Sequence, residues 1–275
     1  MQVTIKDSFE LQKIANSGQC FRVKEFGDGW YRFITGKHVL YIKRENHCRY
    51  SVSCTPDEWD SIWYNYFDLQ RNYACIKNAI PDNDVFLKRA YFEGQGIRIL
   101  QQDHWETLIT FIISQRKSIP AIKQSVELLA EAYGNPIRTP FETVNTFPSA
   151  SALRNVSLAD LRDIKVGYRD KYLLSAIEKI SNGSICLTKI EELSDNDLLD
   201  TLCQIQGVGT KVANCVCLFS YGRTTLAPID TWIKKVIDAH YNGNNPFPSF
   251  GMNAGIMQQY IFNYSIQHKG DFNNG

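Results

Sequence analysis

Gln206-Gly207-Val208-Gly209-Thr210-Lys211-Val212-Ala213-Asn214-Cys215, followed by Pro228-Ile229-Asp230, decides how this chain is read. A run with helical periodicity from Asp197 to Ile205, apolar at Leu198, Leu199 and Leu202, stops at Gly207. Val208-Gly209 then closes a two-glycine hairpin, and Thr210 is expected to N-cap a second helix whose Val212, Val216 and Phe219 share a face. Glycines permit the tight turn and leave N–H groups facing outward beside a positive helix N-terminus, which suits a phosphate. The same dipole disfavours an ammonium on Lys211 and leaves some neutral amine, a nucleophile. Asp230 follows 19 residues on (230 − 211), behind a Gly/Pro loop from Gly222 to Pro228. It stands at the N-cap of the run Thr231 to Tyr241, where it could stabilise a cation next to the lysine. Taken singly, a helix lysine is ordinarily a solvated charge and an aspartate before an apolar run is ordinarily a cap. The joint pattern is what carries chemistry.

Upstream of the hairpin, residues 20 to 53 read as antiparallel strands over Cys20–Lys24, Trp30–Thr35, His38–Lys43 and Cys48–Ser53. Gly36-Lys37 forms a II′ turn between the middle two. Thr55-Pro56-Asp57-Glu58 signals a helix start, and its Trp59, Trp63 and Tyr64 are expected to cover one face of the sheet. Asp68 to Gly96 reads as helical material. Asp103-His104-Trp105-Glu106 has the form of a capping box ahead of a helix apolar at Trp105, Leu108, Ile109 and Ile112. That helix ends in the polar turn Ser114-Gln115-Arg116-Lys117-Ser118. Pro120 then opens a helix with Ile122, Val126 and Leu129 on one face. Helices over Leu158–Ile164, Asp170–Ser181 and about Ala254 to Gln267 follow, and the polar tail 270–275 is expected to fray.

With 275 residues, 44% of them hydrophobic, the chain can bury a large core and form two domains. A net charge of +1 excludes a general basic coat, so any phosphate contact must be local. No stretch approaches a membrane span, and the first residues lack the apolar core of a signal peptide, which predicts a cytoplasmic protein. The eight cysteines are then expected to stay reduced; no CxxC occurs, so no zinc knuckle or other metal site is predicted.

The hairpin with its Thr-Lys, the Gly/Pro loop and the aspartate together resemble the helix-hairpin-helix-GPD superfamily of DNA glycosylases. Gly-Val-Gly-Thr-Lys-Val-Ala is similar to the bifunctional 8-oxoguanine DNA glycosylase/lyases, in their bacterial branch. Gly18-Gln19-Cys20-Phe21-Arg22, Tyr66-Phe67-Asp68-Leu69, the run Gly96 to Asp103 and Gly167-Tyr168-Arg169 occur in that family's order, so the resemblance covers about residues 17 to 267. It implies an α+β fold: a TBP-like antiparallel sheet over residues 1–94 and a helical glycosylase domain over 95–275. The latter would comprise two helical subdomains, with the active site in the cleft between them. Position by position, Lys211 would be the nucleophile and Asp230 its acidic partner. Gly18 would offer a carbonyl to the damaged base, Cys215 and Phe262 would sandwich it, and Gln258 would bond its Watson–Crick edge.

Oxidation at C8 turns guanine N7 from an acceptor into an N–H donor, so one carbonyl separates lesion from guanine. A buried site that leaves one polar group unpaired costs roughly 1–3 kcal/mol. Gly207, Val208 and Gly209 would hold a phosphate, while Arg116, Tyr168 and Arg169 would enter the duplex. The chain departs from better-known members at Arg116, where they have Asn, so a longer, charged plug would fill the gap left by the flipped base. It also has Ala121 in place of one of two arginines that read the opposite cytosine, although Arg169 fits the other, and Trp232 where a His often stands. The implied partner is double-stranded DNA containing oxidised guanine, bound by a monomer, at the nucleoid in a prokaryote, with no metal or organic cofactor. Rival readings are a monofunctional alkylbase glycosylase, which keeps the aspartate but needs no lysine, a broader-specificity glycosylase for oxidised or alkylated bases, and a non-catalytic hairpin module that binds DNA. An endonuclease III-like enzyme would need a four-cysteine iron–sulfur loop, and no cysteine follows Cys217.

Overall fold

In the computed structural model, which describes residues 1–272, the strands are β1 (Gln2–Thr4), β2 (Lys24–Glu25), β3 (Trp30–Thr35), β4 (His38–Arg44) and β5 (Arg49–Val52). They form one antiparallel sheet in the order β1-β5-β4-β3-β2. Thr35 pairs with His38 across a two-residue turn in which Gly36 takes φ 55, as the II′ reading requires. Two strand expectations are corrected. The first strand is only Lys24–Glu25, because Cys20 to Val23 are buried in a bend, and Gln2–Thr4 adds an unforeseen edge strand.

One face of the sheet is covered by helix α1 (Leu11–Asn16) and by the segment 55–67. There the Thr55 side chain accepts the Glu58 N–H, with Pro56 at the first position. Trp59 and Trp63 are buried as expected, but Tyr64 is 42% exposed. A π turn over Trp59–Trp63 rotates the following residues, so Tyr66 and Phe67 enter the core instead. Phe67 meets Phe9, Phe33 and Tyr66 edge-on, each at 5.1 Å between ring centres.

Helices α2 (Val85–Gly94), α3 (His104–Ser114), α4 (Ile119–Tyr133), α5 (Leu158–Asp163), α6 (Asp170–Ser181), α7 (Asp195–Cys203), α8 (Thr210–Phe219), α9 (Thr231–His240) and α10 (Ala254–Gln267) make a second core. Every residue of α3 from Thr107 to Ile113 is buried, so this helix is the spine. Its capping box is one-sided: Asp103 accepts the Glu106 N–H at 2.8 Å, while the Glu106 carboxyl lies within the field of Arg22. A short hairpin, β6 (Pro136–Arg138) with β7 (Thr143–Asn145), was not legible in the sequence.

Charge pairs fasten the sheet to the helices. Buried Arg22 reaches Glu127 of α4 at 3.2 Å and the Asn145 carbonyl of β7 at 2.6 Å, and Arg32 reaches Glu142 at 2.9 Å. The architecture is α+β, as expected. Of the tail expected to fray, Lys269–Phe272 form a 3-10 turn and 273–275 lie outside the described residues.

Candidate functional site

Helix α7 starts at Ser194, whose side chain accepts the Asp197 N–H, and ends ahead of Gly207. Gly207 takes φ 81 and packs its Cα face on Tyr172, so closely that a Cβ would lie 2.2 Å from the ring. Only glycine satisfies both demands. The N-cap of α8 is Gly209, not Thr210 as expected, and no side chain caps it. Thr210 is already helical, and the N–H groups of the first turn lie at the positive end of the dipole with no side chain capping them.

Lys211 therefore stands in the first turn of α8, half-buried, with Nζ 5.5 Å from the centre of the Phe111 ring. Cys215 lies one turn on; burial pushes its thiol up, against the pull of the nearby Lys211 ammonium. Asp230 caps α9, with Oδ1 accepting the Ile233 N–H at 2.8 Å. Gln258 and Phe262 lie four apart on α10; Gln258 is buried and accepts from Gln259 Nε2 at 3.0 Å.

Gly18 comes from the N-terminal unit. It takes φ 74, and a Cβ there would press on Phe262 at 3.2 Å. Its loop is anchored by the buried amide of Gln19, which donates to Ser17 Oγ and the Arg98 carbonyl and accepts from Leu100 N–H. Nothing in the sequence around Gln19 announces this task. Its full set of bonds is what fixes the glycine.

These pieces converge. Gly18, Lys211, Cys215, Asp230, Gln258 and Phe262 all line one inner pocket of about 40 Å³, closed by Phe111, Phe219 and Pro228. Outside it a cleft of about 910 Å³ is shared by Gly18, Lys211 and Asp230 with Arg116, Lys117, Trp232, Lys234 and Lys269. Trp232, noted in the sequence only as a departure, carries Lys235 and Lys269 over its ring at 5.1 and 5.8 Å.

The remaining predicted residues border the cleft differently. Arg116 is exposed at the turn after α3, with φ 48, a left-handed conformation uncommon for arginine and easier for asparagine. Tyr168 is 53% exposed and stands edge-on to Tyr172. Arg169 is buried: its Nε donates to the Gln115 carbonyl at 2.8 Å and its Nη1 to the Val166 carbonyl at 2.9 Å. In this conformation it braces the turn from within, instead of projecting as a cation aimed at a base pair. Val208 is buried, and Gly207 and Gly209 form the outer bend.

Residues 2–108 match the family described as 8-oxoguanine DNA glycosylase, N-terminal domain. Among solved structures, MBOgg1 in complex with a low-affinity DNA ligand superposes with a TM-score of 0.93 at 37% identity, over 98% of this chain and 96% of that one. The Clostridium acetobutylicum 8-oxoguanine glycosylase/lyase, in complex with double-stranded DNA containing cytosine opposite the lesion, gives 0.91 at 32% identity over 98% of each chain. The N-glycosylase/DNA lyase of Saccharomyces cerevisiae is 32% identical over 194 residues, 65% of this chain; the match spans half of the yeast protein's length. By its sequence and its superposition along nearly the whole length of these structures, the chain belongs to the 8-oxoguanine DNA glycosylase/lyase family of the helix-hairpin-helix superfamily.

Proposed function

We propose that the protein is a bifunctional DNA glycosylase and abasic-site lyase that removes 8-oxoguanine from duplex DNA. The observation that carries this reading is the single inner pocket bordered by an amine, a carboxylate, a glycine loop, a thiol, a buried amide and an aromatic ring. A binding module has no need of that set. The uncapped first turn of α8 would take a backbone phosphate. Arg116 and Tyr168 would enter the duplex, and the damaged nucleotide would turn out of the stack into the pocket.

The Lys211 amine attacks C1′ as the bond from C1′ to the base breaks, and the base leaves with the bonding pair and a proton. Asp230 stabilises the positive charge that develops on the sugar. Loss of the ring oxygen from C1′ gives the Schiff base between Lys211 and the opened sugar. That iminium acidifies the C2′ hydrogen, and its removal expels the 3′ phosphate, which nicks the strand. Half-buried, with Nζ 5.5 Å from the centre of the Phe111 ring, Lys211 stands at the wall of the pocket that the flipped nucleotide would enter. Gly18 would supply the acceptor for the lesion's N7–H and Gln258 the partner for its Watson–Crick edge. With Ala121 small and Arg169 turned inward, selectivity for the opposite base would be weak. In a prokaryote such a protein would work in the cytoplasm, on the nucleoid.

Borohydride trapping tests this directly. Native protein with 8-oxoguanine duplex is expected to give a covalent protein–DNA band, and Lys211→Gln none. Base loss with no trapped band would leave a monofunctional glycosylase; neither product would reduce the hairpin to a binding device.

A further inference from the structure

Three parts of the surface that would meet DNA are joined in a closed ring of contacts, and the residue that closes it is Gln115. Its side-chain Nε2 donates to the Gly207 carbonyl at 3.1 Å, and to the Ile112 carbonyl at 3.2 Å, so the turn after α3 is tied to the glycine hairpin. Its own backbone carbonyl takes the Arg169 guanidinium, through Nε at 2.8 Å and also through Nη2. Arg169 lies over the Tyr168 ring at 4.5 Å, Tyr168 meets Tyr172 edge-on at 6.0 Å, and Tyr172 is the ring against which Gly207 is pressed. The ring thus returns to Gly207. On the other side of Arg116, Lys117 donates to the Lys165 carbonyl at 2.6 Å. Arg116 is therefore pinned at both neighbours while the residue itself is exposed and its backbone is held at φ 48.

We propose that Gln115 is a positioning residue that couples the phosphate-gripping hairpin to the Arg116 plug. When the hairpin takes its phosphate, the amide bond to Gly207 fixes where Arg116 stands relative to that phosphate, and so the register at which the plug meets the base stack. A Gln side chain suits this because it spans from one turn to another and donates both N–H groups to carbonyls. Reacting geometry that slips by about 1 Å costs about a hundredfold in rate. Gln115 borders the wider cleft but not the inner pocket, and it acts through its neighbour.

The inference rests on the glycosylase reading, and the test separates the two. Single-turnover excision from 8-oxoguanine duplex is measured for native protein, Gln115→Met, Arg116→Ala and the double variant. The methionine keeps the volume and removes both donors. Gln115→Met is expected to slow excision about ten- to a hundredfold, and to add nothing in the Arg116→Ala background, because coupled residues are not additive. Cleavage of duplex with a preformed abasic site, where no base has to leave the stack, is expected to stay near the native rate. Arg169→Lys, which drops the forked donor to the Gln115 carbonyl, is expected to shift the two substrates in the same unequal way, and it serves where Gln115→Met does not fold.

Gln115→Met excising at the native rate would overturn the inference alone. So would an equal loss in both backgrounds, or an equal loss on both substrates, since these mark a merely structural residue. Native protein that excises nothing would overturn the glycosylase reading, and the inference with it.

Discussion

The proposed catalytic pair, Lys211 and Asp230, and the turn that would carry the plug face the same cleft but are held in place by opposite means. Lys211 and Asp230 each stand at the start of a helix, positioned by a cap, a glycine bend and a few residues of their own segment. The plug turn is held from far along the chain. Its ties run from Gln115 to Gly207, 92 residues away, from Arg169, 54 away, and from Lys117 to Lys165, 48 away. Chemistry placed by local rules is hard to alter without losing the helix start itself. A turn placed by distant bonds can change its plug while the bonds stay. Arg116 sits on such a turn, with both neighbours tied to distant segments and the residue itself exposed.

The sharpest way to break this contrast is Asp230→Asn. Asparagine caps a helix as well as aspartate does, so α9 and the unfolding midpoint are expected to survive. Excision, read in single-turnover assays, is expected to fall about 10²–10³-fold, as when one charge-stabilising group is lost. An excision rate close to native would mean that Asp230 is only a cap.

A smaller effect is expected at the far end of α3, the helix that carries the plug. Burial raises the Glu106 carboxyl from its ordinary 4.5 to about 7, with Asp103 and Glu127 adding to the rise and Arg22 opposing it. Because the folded value lies above the unfolded one, the stability this group contributes is complete below about pH 4.5 and is lost as pH rises through 7. Glu106→Gln should therefore stabilise the fold by about 1–3 kcal/mol at pH 8 and change little at pH 4 to 5. Urea unfolding at the two pH values measures this, and a pH-independent difference would show that the effect does not come from the charge on Glu106.

The smallest expected effect is at the plug. Arg116→Asn should raise stability by about 0.5 kcal/mol, since asparagine accepts the left-handed backbone more readily. An unchanged m-value with a higher urea midpoint is the expected signature. A fall in stability would show that the arginine side chain makes contacts in the free protein that outweigh its backbone strain.

The same contrast explains what could be read from the sequence. Asp170–Ser181 and Ala254–Gln267 have the expected bounds, because apolar periodicity and polar ends are local signals. The six residues around the inner pocket were nameable through a motif and a resemblance. Their meeting at one place depends on bonds such as those of Gln19, which no local pattern announces. Strand β1 was missed because three residues carry no period and gain their identity only by pairing with Arg49–Ser51. Thr210 looked like a better cap than glycine, yet Gly209 occupies that position in the tight bend. Nothing in Tyr168-Arg169 says that the arginine turns inward, since its acceptor, the Gln115 carbonyl, lies on another helix end.

The inner pocket of about 40 Å³ is far smaller than any purine. A Cβ at position 18 would stand 3.2 Å from the Phe262 ring, so the two walls of the pocket already meet at a glycine. The cost of widening that space falls on every base alike and multiplies each affinity by one fraction. Tight walls therefore add nothing to the ratio by which lesion and guanine would be told apart, and leave that ratio to the hydrogen bonds inside.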